Sequence, residues 1–326
     1  LVSSFFASIF AGKSVEIDHG DGAGMNLMNL ASGDWDVDLV DATGPDLGAK
    51  LPPLAPSGTS SGKIASYFVK KYGFSTDCET VIWSGDNPCS LVGMGAASPG
   101  KVVISLGTSD TLFAAMPEAK TDPQGFGHAF GNPMGGYMSL ICFKNGSLAR
   151  EAVKNEFDLE WSAFEREGLA ATPVGNNGLL MLPFYEPEIT PRLDTGGPLF
   201  STGFEMSSCQ VVRAVLEGQF LNMRQHFGWL EVQPTRISLT GGASANDGIA
   251  QVIANVFGVP VDRLDVPGSA AVGAGMRAAN ALGVSLQELE SKFCLPKEGS
   301  TISPEEGAHA VYCRMQNDFA EFLAKQ

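Results

Sequence analysis

The sequence predicts an α/β protein of about two domains, and three observations carry that expectation. The chain has 326 residues, and domains run to roughly 150 residues each. Two apolar β-rich runs, Val102–Leu106 and Thr111–Phe113, flank the polar turn Gly107-Thr108-Ser109-Asp110, which is the pattern of a hairpin. From Arg236 to Val256 a strand, a paired-glycine turn and an amphipathic helix follow one another.

Composition narrows the function classes. Hydrophobic residues are 44% and charged residues 17%, enough to bury a core and too apolar for a disordered chain. Lys+Arg is 21 and Asp+Glu 36, a net charge of −15, which argues against a duplex nucleic acid or a membrane surface as partner. The 39 glycines show no collagen period, so turns and close backbone approaches are expected to use them. No apolar run is long enough to span a membrane. Cys78, Cys89, Cys142, Cys209, Cys294 and Cys313 include no C-x-x-C pair and read as free buried thiols in a reducing, cytoplasmic compartment. His19, His128, His226 and His309 have no ligand spacing, and no metal-binding residue is assigned. Leu1–Phe10 lacks a basic flank and an A-x-A site, so a buried helix or strand is expected there rather than a signal segment.

The elements follow in order. DGAGMNLMNL (21–30) is a polar turn leading into Met25, Leu27, Met28 and Leu30, and LPPLAPSG (51–58) is an extended connection. SSGKIASYFVKKYGF predicts a helix capped by Ser60 or Ser61, with Ile64, Phe68 and Tyr72 on one face and Gly73 at its stop. TVIWSGDN (80–87) is a short strand ending in Gly-Asp-Asn, after which Pro88 opens a helix through Met94. An Asp there is either a catalytic group or a helix-cap carboxylate. The turn at 107–110 is either a phosphate cradle or an ordinary hairpin turn. Val212, Val215, Leu216, Phe220, Met223, Phe227 and Leu230 recur at threes and fours and form a core stripe. LTGGASAND aims a helix N-terminus at whatever lies above it, yet matches neither G-x-G-x-x-G nor a P-loop. VPGSAAVGAGMRAANALG (266–283) opens a small-residue helix whose Gly273 and Gly275 suggest close packing. The last helix turns Ala310, Met315, Phe319 and Phe322 to the core.

Three segments in one order, GDNPCSLVGMGAASPGKVVISLGTSDTLF, EITP ahead of VVRAVLEGQF, and LTGGASANDGIAQVIANVFGVPV, resemble the FGGY carbohydrate kinases. DGAGMNLMNL and CFKNGSLAREAVKNE resemble the eukaryotic-type, xylulose-phosphorylating subgroup. The resemblance implies an actin-like, hexokinase-like (ribonuclease H-like) ATPase fold. It makes residues 1–97 the C-terminal part of the first, sugar-binding lobe and 98–326 the whole second, nucleotide-binding lobe, with the start of the first lobe outside the chain. It implies ATP-dependent phosphorylation of D-xylulose to D-xylulose 5-phosphate with Mg²⁺. A ribulose, glycerol or gluconate kinase, or an inactive nucleotide-binding remnant, stays open. Carried over residue by residue, Asp86 matches the general base and a sugar contact, and Asn87 a sugar contact. Gly107, Thr108 and Ser109 match the second phosphate hairpin. Gly242, Ala243 and Asn246 match the adenosine turn, Trp161 a nucleotide-pocket aromatic, and Gly268, Ser269 and Ala270 a helix start beside that pocket. Trp161 packing on its own helix is the alternative.

Overall fold

The computed structural model describes residues 1–164, 169–264, 266 and 268–326. The first part holds helices α1 (Val2–Ala11), α2 (His19–Gly24), α3 (Val37–Thr43), α4 (Ser66–Tyr72) and α5 (Asp86–Gly93). Its strands are short: β1 (Ile17–Asp18), β2 (Met28–Asn29), β3 (Asp34–Trp35), β4 (Leu54–Ala55), β5 (Ser60–Lys63) and β6 (Glu79–Val81). They pair β1 with β4, β2 with β3 and β5 with β6.

Local chemistry explains the departures here. Ser60 and Ser61 do not cap a helix; they belong to β5, antiparallel to β6, and α4 starts only at Ser66. Gly62 has φ +97°, outside the helical region, so no helix can run on from Ser60 or Ser61, and the pairing with β6 satisfies the backbone instead. Helix α1 forms as expected but is not buried. Only Ala7 is enclosed, while Val2, Phe5, Phe6 and Ile9 are exposed and Phe6 and Phe10 stack on Trp83.

The second part is built on a six-stranded sheet of β7 (Lys101–Leu106), β8 (Asp110–Met116), β9 (Gly127–Gly131), β10 (Tyr137–Phe143), β15 (Arg236–Thr240) and β16 (Val261–Arg263). Two short pairs, β11 (Met181–Leu182) with β14 (Leu199–Phe200) and β12 (Glu188–Ile189) with β13 (Arg192–Leu193), lie apart from it. The order across the sheet is β16-β15-β7-β8-β10-β9. β7, β15 and β16 run parallel, and β8, β10 and β9 alternate. The expected hairpin is present, with Ser105 opposite Thr111 and Leu106 opposite Asp110.

Alternation sorts the strand residues between two layers. Val102, Ile104, Leu106, Leu112 and Ala114 face one layer, made by α8 (Ser208–Phe227), α9 (Asp247–Phe257) and α12 (Ala308–Leu323). Val103, Phe113, Ala115 and Met138 face Leu91 and Met94 at the end of α5. The α8 stripe is buried throughout, and a Ser207–Gln210 capping box starts that helix. In α12 Ala308, Tyr312, Met315 and Phe319 are buried and Phe322 packs half-buried against the core; of the four expected core positions Ala310 alone is exposed, two residues off that face.

Helix α10 (Ser269–Ala281) crosses α5 at backbone contact. A Cβ on Gly273 would lie 1.8 Å from the Cys89 carbonyl oxygen, and one on Gly93 would lie 2.0 Å from that of Ser269. Gly275 takes no part, since among the described residues nothing lies within 4 Å of its Cβ position. Pro267, which precedes Gly268 in the sequence, lies outside the described residues. Of the six free cysteines Cys89 is buried, Cys313 exposed and the rest half-buried, so the buried-thiol expectation holds only for Cys89. No helix among the described residues is long and apolar enough to cross a membrane.

Candidate nucleotide cleft and acidic site

The β7–β8 turn is held from below. Asp110, the first residue of β8, is fully buried. Its Oδ1 accepts the Gly107 N–H at 3.1 Å and Arg150 Nη2 at 3.0 Å; Oδ2 accepts Arg150 Nη1 at 2.8 Å. Arg150 stands on α6 (Ser147–Glu156), which follows β10 after the Lys144–Gly146 link. Gly146 is required there, because a Cβ would lie 2.6 Å from Asp110 Oδ1. The Ser147 N–H donates to the Gly107 carbonyl at 2.9 Å. Burial pushes the Asp110 carboxyl up from its ordinary value, and the charge of Arg150 opposes that.

A polar chain runs on from this pair. Gln219 of α8 accepts from Arg150 Nη1 at 3.1 Å and donates to the carbonyls of Asn145 and Gly146. Glu188 accepts the backbone N–H groups of Lys144 and Asn145 and the Asn145 amide. The EITP segment therefore acts through Glu188, which anchors the start of α6.

The other wall is the turn after β15. Gly241 has φ +90°, and a Cβ on it would lie 2.3 Å from the Leu106 carbonyl, so glycine alone lets this turn close on the end of β7. Gly242–Ala245 then form one 3-10 turn, and Asn246 caps α9 by accepting the Ile249 N–H at 2.9 Å. With Oδ1 in the cap, Asn246 would meet a ligand through Nδ2 as donor. No atom of the described residues lies within 4 Å of a Cβ built on Gly242, so the wall there is bare backbone facing the cavity.

Between the two walls lies a cavity of about 590 Å³. Gly107, Thr108, Trp161, Gly242, Ala243 and Asn246 line it, from segments far apart in sequence. Ser109 is exposed in the same turn but is not on the wall. Trp161 opens the short helix α7 (Trp161–Ala163), with Lys154 Nζ 5.9 Å from its ring centroid and Phe164 against it at 5.6 Å. Its ring thus both lines the cavity and packs locally. The reading of residues missed Ser147, Arg150 and Glu151 on the wall. CFKNGSLAREAVKNE held their signal, three polar residues at i, i+3 and i+4 on one helix face.

Asp86 and Asn87 do not line this cavity. Asp86 is the first residue of α5, five residues beyond the end of β6 rather than at its tip, with Pro88 in the first turn where its missing N–H costs nothing. Both side chains are exposed, and Asp86 Oδ1 accepts the Asn87 N–H at 2.8 Å. Two more carboxylates stand nearby. A Cβ on Gly85 would lie 3.1 Å from Asp21 Oδ1. Burial, and to a smaller degree the charge of Asp86, push Asp21 up, while Ser3 donates to it and opposes the shift. Burial raises Asp18, whose Oδ1 caps α2 at the Asp21 N–H, to about 6. Gly268, Ser269 and Ala270 start α10 against α5; they are not on the cavity wall. Among the described residues no three His, Cys, Asp or Glu gather in a way that could hold a metal ion.

A sheet with three parallel strands and an adjoining hairpin, whose strand ends close around a glycine-walled cavity, defines an actin-like, hexokinase-like ATPase fold. The chain belongs to the FGGY family of carbohydrate kinases: the family's C-terminal domain matches residues 102–282 and its N-terminal domain residues 1–93. Xylulose kinase of Rattus norvegicus is 41% identical over 334 residues, covering 98% of this chain and 61% of the relative. Xylulose kinase 2 of Arabidopsis thaliana is 40% identical, covering 86% of this chain and 53% of the relative. The chain thus spans between half and two thirds of the length of these curated relatives. Among solved structures, a ligand-bound xylulose kinase from Lactobacillus acidophilus superposes with a TM-score of 0.83 at 23% identity, over 99% of this chain and 67% of that one. A glycerol kinase from Plasmodium falciparum with ADP gives 0.79 at 14% identity, over 99% and 66%.

Proposed function

We propose that this chain carries the nucleotide-binding lobe, and in Asp86 the general base, of a cytoplasmic kinase that phosphorylates D-xylulose with ATP. The observation that carries the reading is the cavity between the β7–β8 turn and the β15–α9 turn. It joins a hydroxyl-bearing glycine turn, a bare-backbone wall at a helix N-terminus and an aromatic side chain, which suit phosphate, nucleoside and base in that order. The choice of D-xylulose rests on the relatives, two of which are named xylulose kinases.

Residues 1–97 then form part of the sugar lobe and 98–326 the nucleotide lobe. Thr108, on the cavity wall, offers its hydroxyl and N–H group to the phosphates, and Ser109 stands beside it at the exposed side of the same turn. Gly242 and Ala243 let backbone meet the nucleoside, and Asn246 donates to it. Asp86, exposed at the start of α5, takes the proton of the attacking sugar hydroxyl, an effect worth roughly 10²–10⁴ in rate, and Asn87 donates to and accepts from neighbouring hydroxyls. Most of the remaining acceleration comes from positioning and charge stabilisation. Mg²⁺ would arrive on the nucleotide phosphates and neutralise their charge; the described residues offer no ligand cluster that would hold it alone.

The test is a coupled ADP-release assay on the protein at its natural full length, with D-xylulose against D-ribulose, glycerol and gluconate. ADP release dependent on D-xylulose, and weaker with the other three, is expected. Release with another acceptor alone would move the substrate, and nucleotide binding without release for any acceptor would refute the kinase reading.

A further inference from the structure

We infer that Asp110 and Arg150 are positioning residues for the phosphate turn, fixing Gly107–Thr108 in place and keeping the charge beneath it at zero. The inference rests on the nucleotide reading of the cavity.

Three features lead there. First, both backbone groups of Gly107 are committed inward, its N–H to Asp110 Oδ1 at 3.1 Å and its carbonyl to the Ser147 N–H at 2.9 Å. The turn is therefore pinned to β8 and to the first residue of α6, with Gly107 and Thr108 held on the cavity wall. Second, a lone carboxylate beneath a phosphate turn would repel the ligand. Arg150 meets Asp110 with two bonds, at 2.8 and 3.0 Å, and each side chain is only 1% exposed. Third, the pair is tied to more than its own helix. Gln219 links Arg150 to the carbonyls of Asn145 and Gly146, so α8, the start of α6 and the turn hold one another.

Stability alone is a poor reason for such a pair, because apolar side chains of the same volume do as well or better. Its position is informative instead. It stands at the cavity end of β8 with Arg150 on the cavity wall, where a charge acts on a bound phosphate.

The test uses the 326-residue chain and calorimetric titration with ADP and with adenosine. Arg150→Met leaves Asp110 unpaired; burial alone then favours its neutral form, so the titration is made at alkaline pH, where the ionised carboxylate stands as a lone charge beneath the phosphates. ADP affinity is expected to fall about tenfold or more, the size of a unit-charge change at an effective dielectric of about 20, while adenosine affinity holds within about twofold. Asp110→Asn keeps an acceptor for the Gly107 N–H and releases the charge of Arg150, so ADP binds more tightly than to the parent and adenosine again holds. The double variant, neutral once more, returns ADP affinity to near the parent value. A purely structural pair would move ADP and adenosine together, and that result, or ADP affinities equal across all variants, overturns the inference. Where Arg150→Met does not fold, Asp110→Asn decides alone: tighter ADP with unchanged adenosine supports the inference, equal or weaker ADP overturns it. A parent chain that binds neither ligand overturns the nucleotide reading itself, and this inference with it.

Discussion

Replacing Gly273 by Ala tests the crossing of α5 and α10, the contact that holds the helix bearing Asp86. The added Cβ would lie 1.8 Å from the Cys89 carbonyl oxygen and 2.7 Å from the Gly93 nitrogen. Carbon and oxygen normally stay about 3.3 Å or more apart, so the helices must separate by more than about an ångström. Both obstructing atoms are backbone, and no side chain can turn away to relieve them. Separation also opens the small core of Val92, Ala97, Met276 and Leu289 beneath the crossing. Overpacking costs about 1–3 kcal/mol in typical cores, and the upper end applies here. The gain from Ala over Gly in a helix, roughly 0.5–1 kcal/mol, offsets part of it. A loss of about 2 kcal/mol is expected.

Gly275→Ala is the control on the same helix, because no atom of the described residues lies within 4 Å of its Cβ and the residue is exposed. It should keep the whole helix gain and raise stability by roughly 0.5–1 kcal/mol. Urea unfolding of both variants, compared at unchanged slope, measures the difference. A Gly273→Ala midpoint at or above that of Gly275→Ala would refute the backbone contact as the reason for glycine there.

Further outcomes follow from other sites. Gly242→Val should abolish ADP binding and leave the thermal midpoint within a few degrees, since its side chain enters open space on the cavity wall; calorimetry that finds parent-like ADP affinity removes the nucleoside turn from that place. Asp86→Asn in the full-length protein should leave less than about a hundredth of sugar-dependent kcat with ADP affinity unchanged; turnover above about a tenth would exclude Asp86 as the base. Burial pushes His226 down to about 4, so between about pH 6.5 and 4 the unfolded chain binds a proton that the folded one does not, and stability falls as pH falls. By pH 5 that costs about 2 kcal/mol relative to pH 7, and His226→Gln should flatten the slope in urea titrations. Asp18, raised to about 6, acts in the opposite sense: folding gains from its protonation as pH drops from about 6 toward 4.

Periodicity made the second part legible. The β7–β8 hairpin, the α8 stripe and the β15–turn–α9 unit all stand where alternation or threes-and-fours spacing placed them, because one buried face sets each pattern. The first part resisted. Its strands run to two, three or four residues, too short for any period, and the segment from Ser60 to Tyr72 divided between a strand and a helix that share no common face. Gly273 and Gly275 looked alike in the chain; only the position of α5 across one of them tells them apart.

The cavity shows the same division between local and distant causes. Glycines announce its two turns because the turns need them within a few residues, as Gly241 does against Leu106. Asp110 and Arg150 carry no such mark. They are forty residues apart, each is an ordinary polar residue near the end of a regular element, and their pairing exists only once β10 has brought α6 back over the hairpin. A carboxylate on a strand is expected to face solvent, and full burial is affordable only with its partner in place. The partner can be identified only from the sheet order, so the charge balance beneath the phosphate turn belongs to the tertiary fold and is invisible in either segment alone.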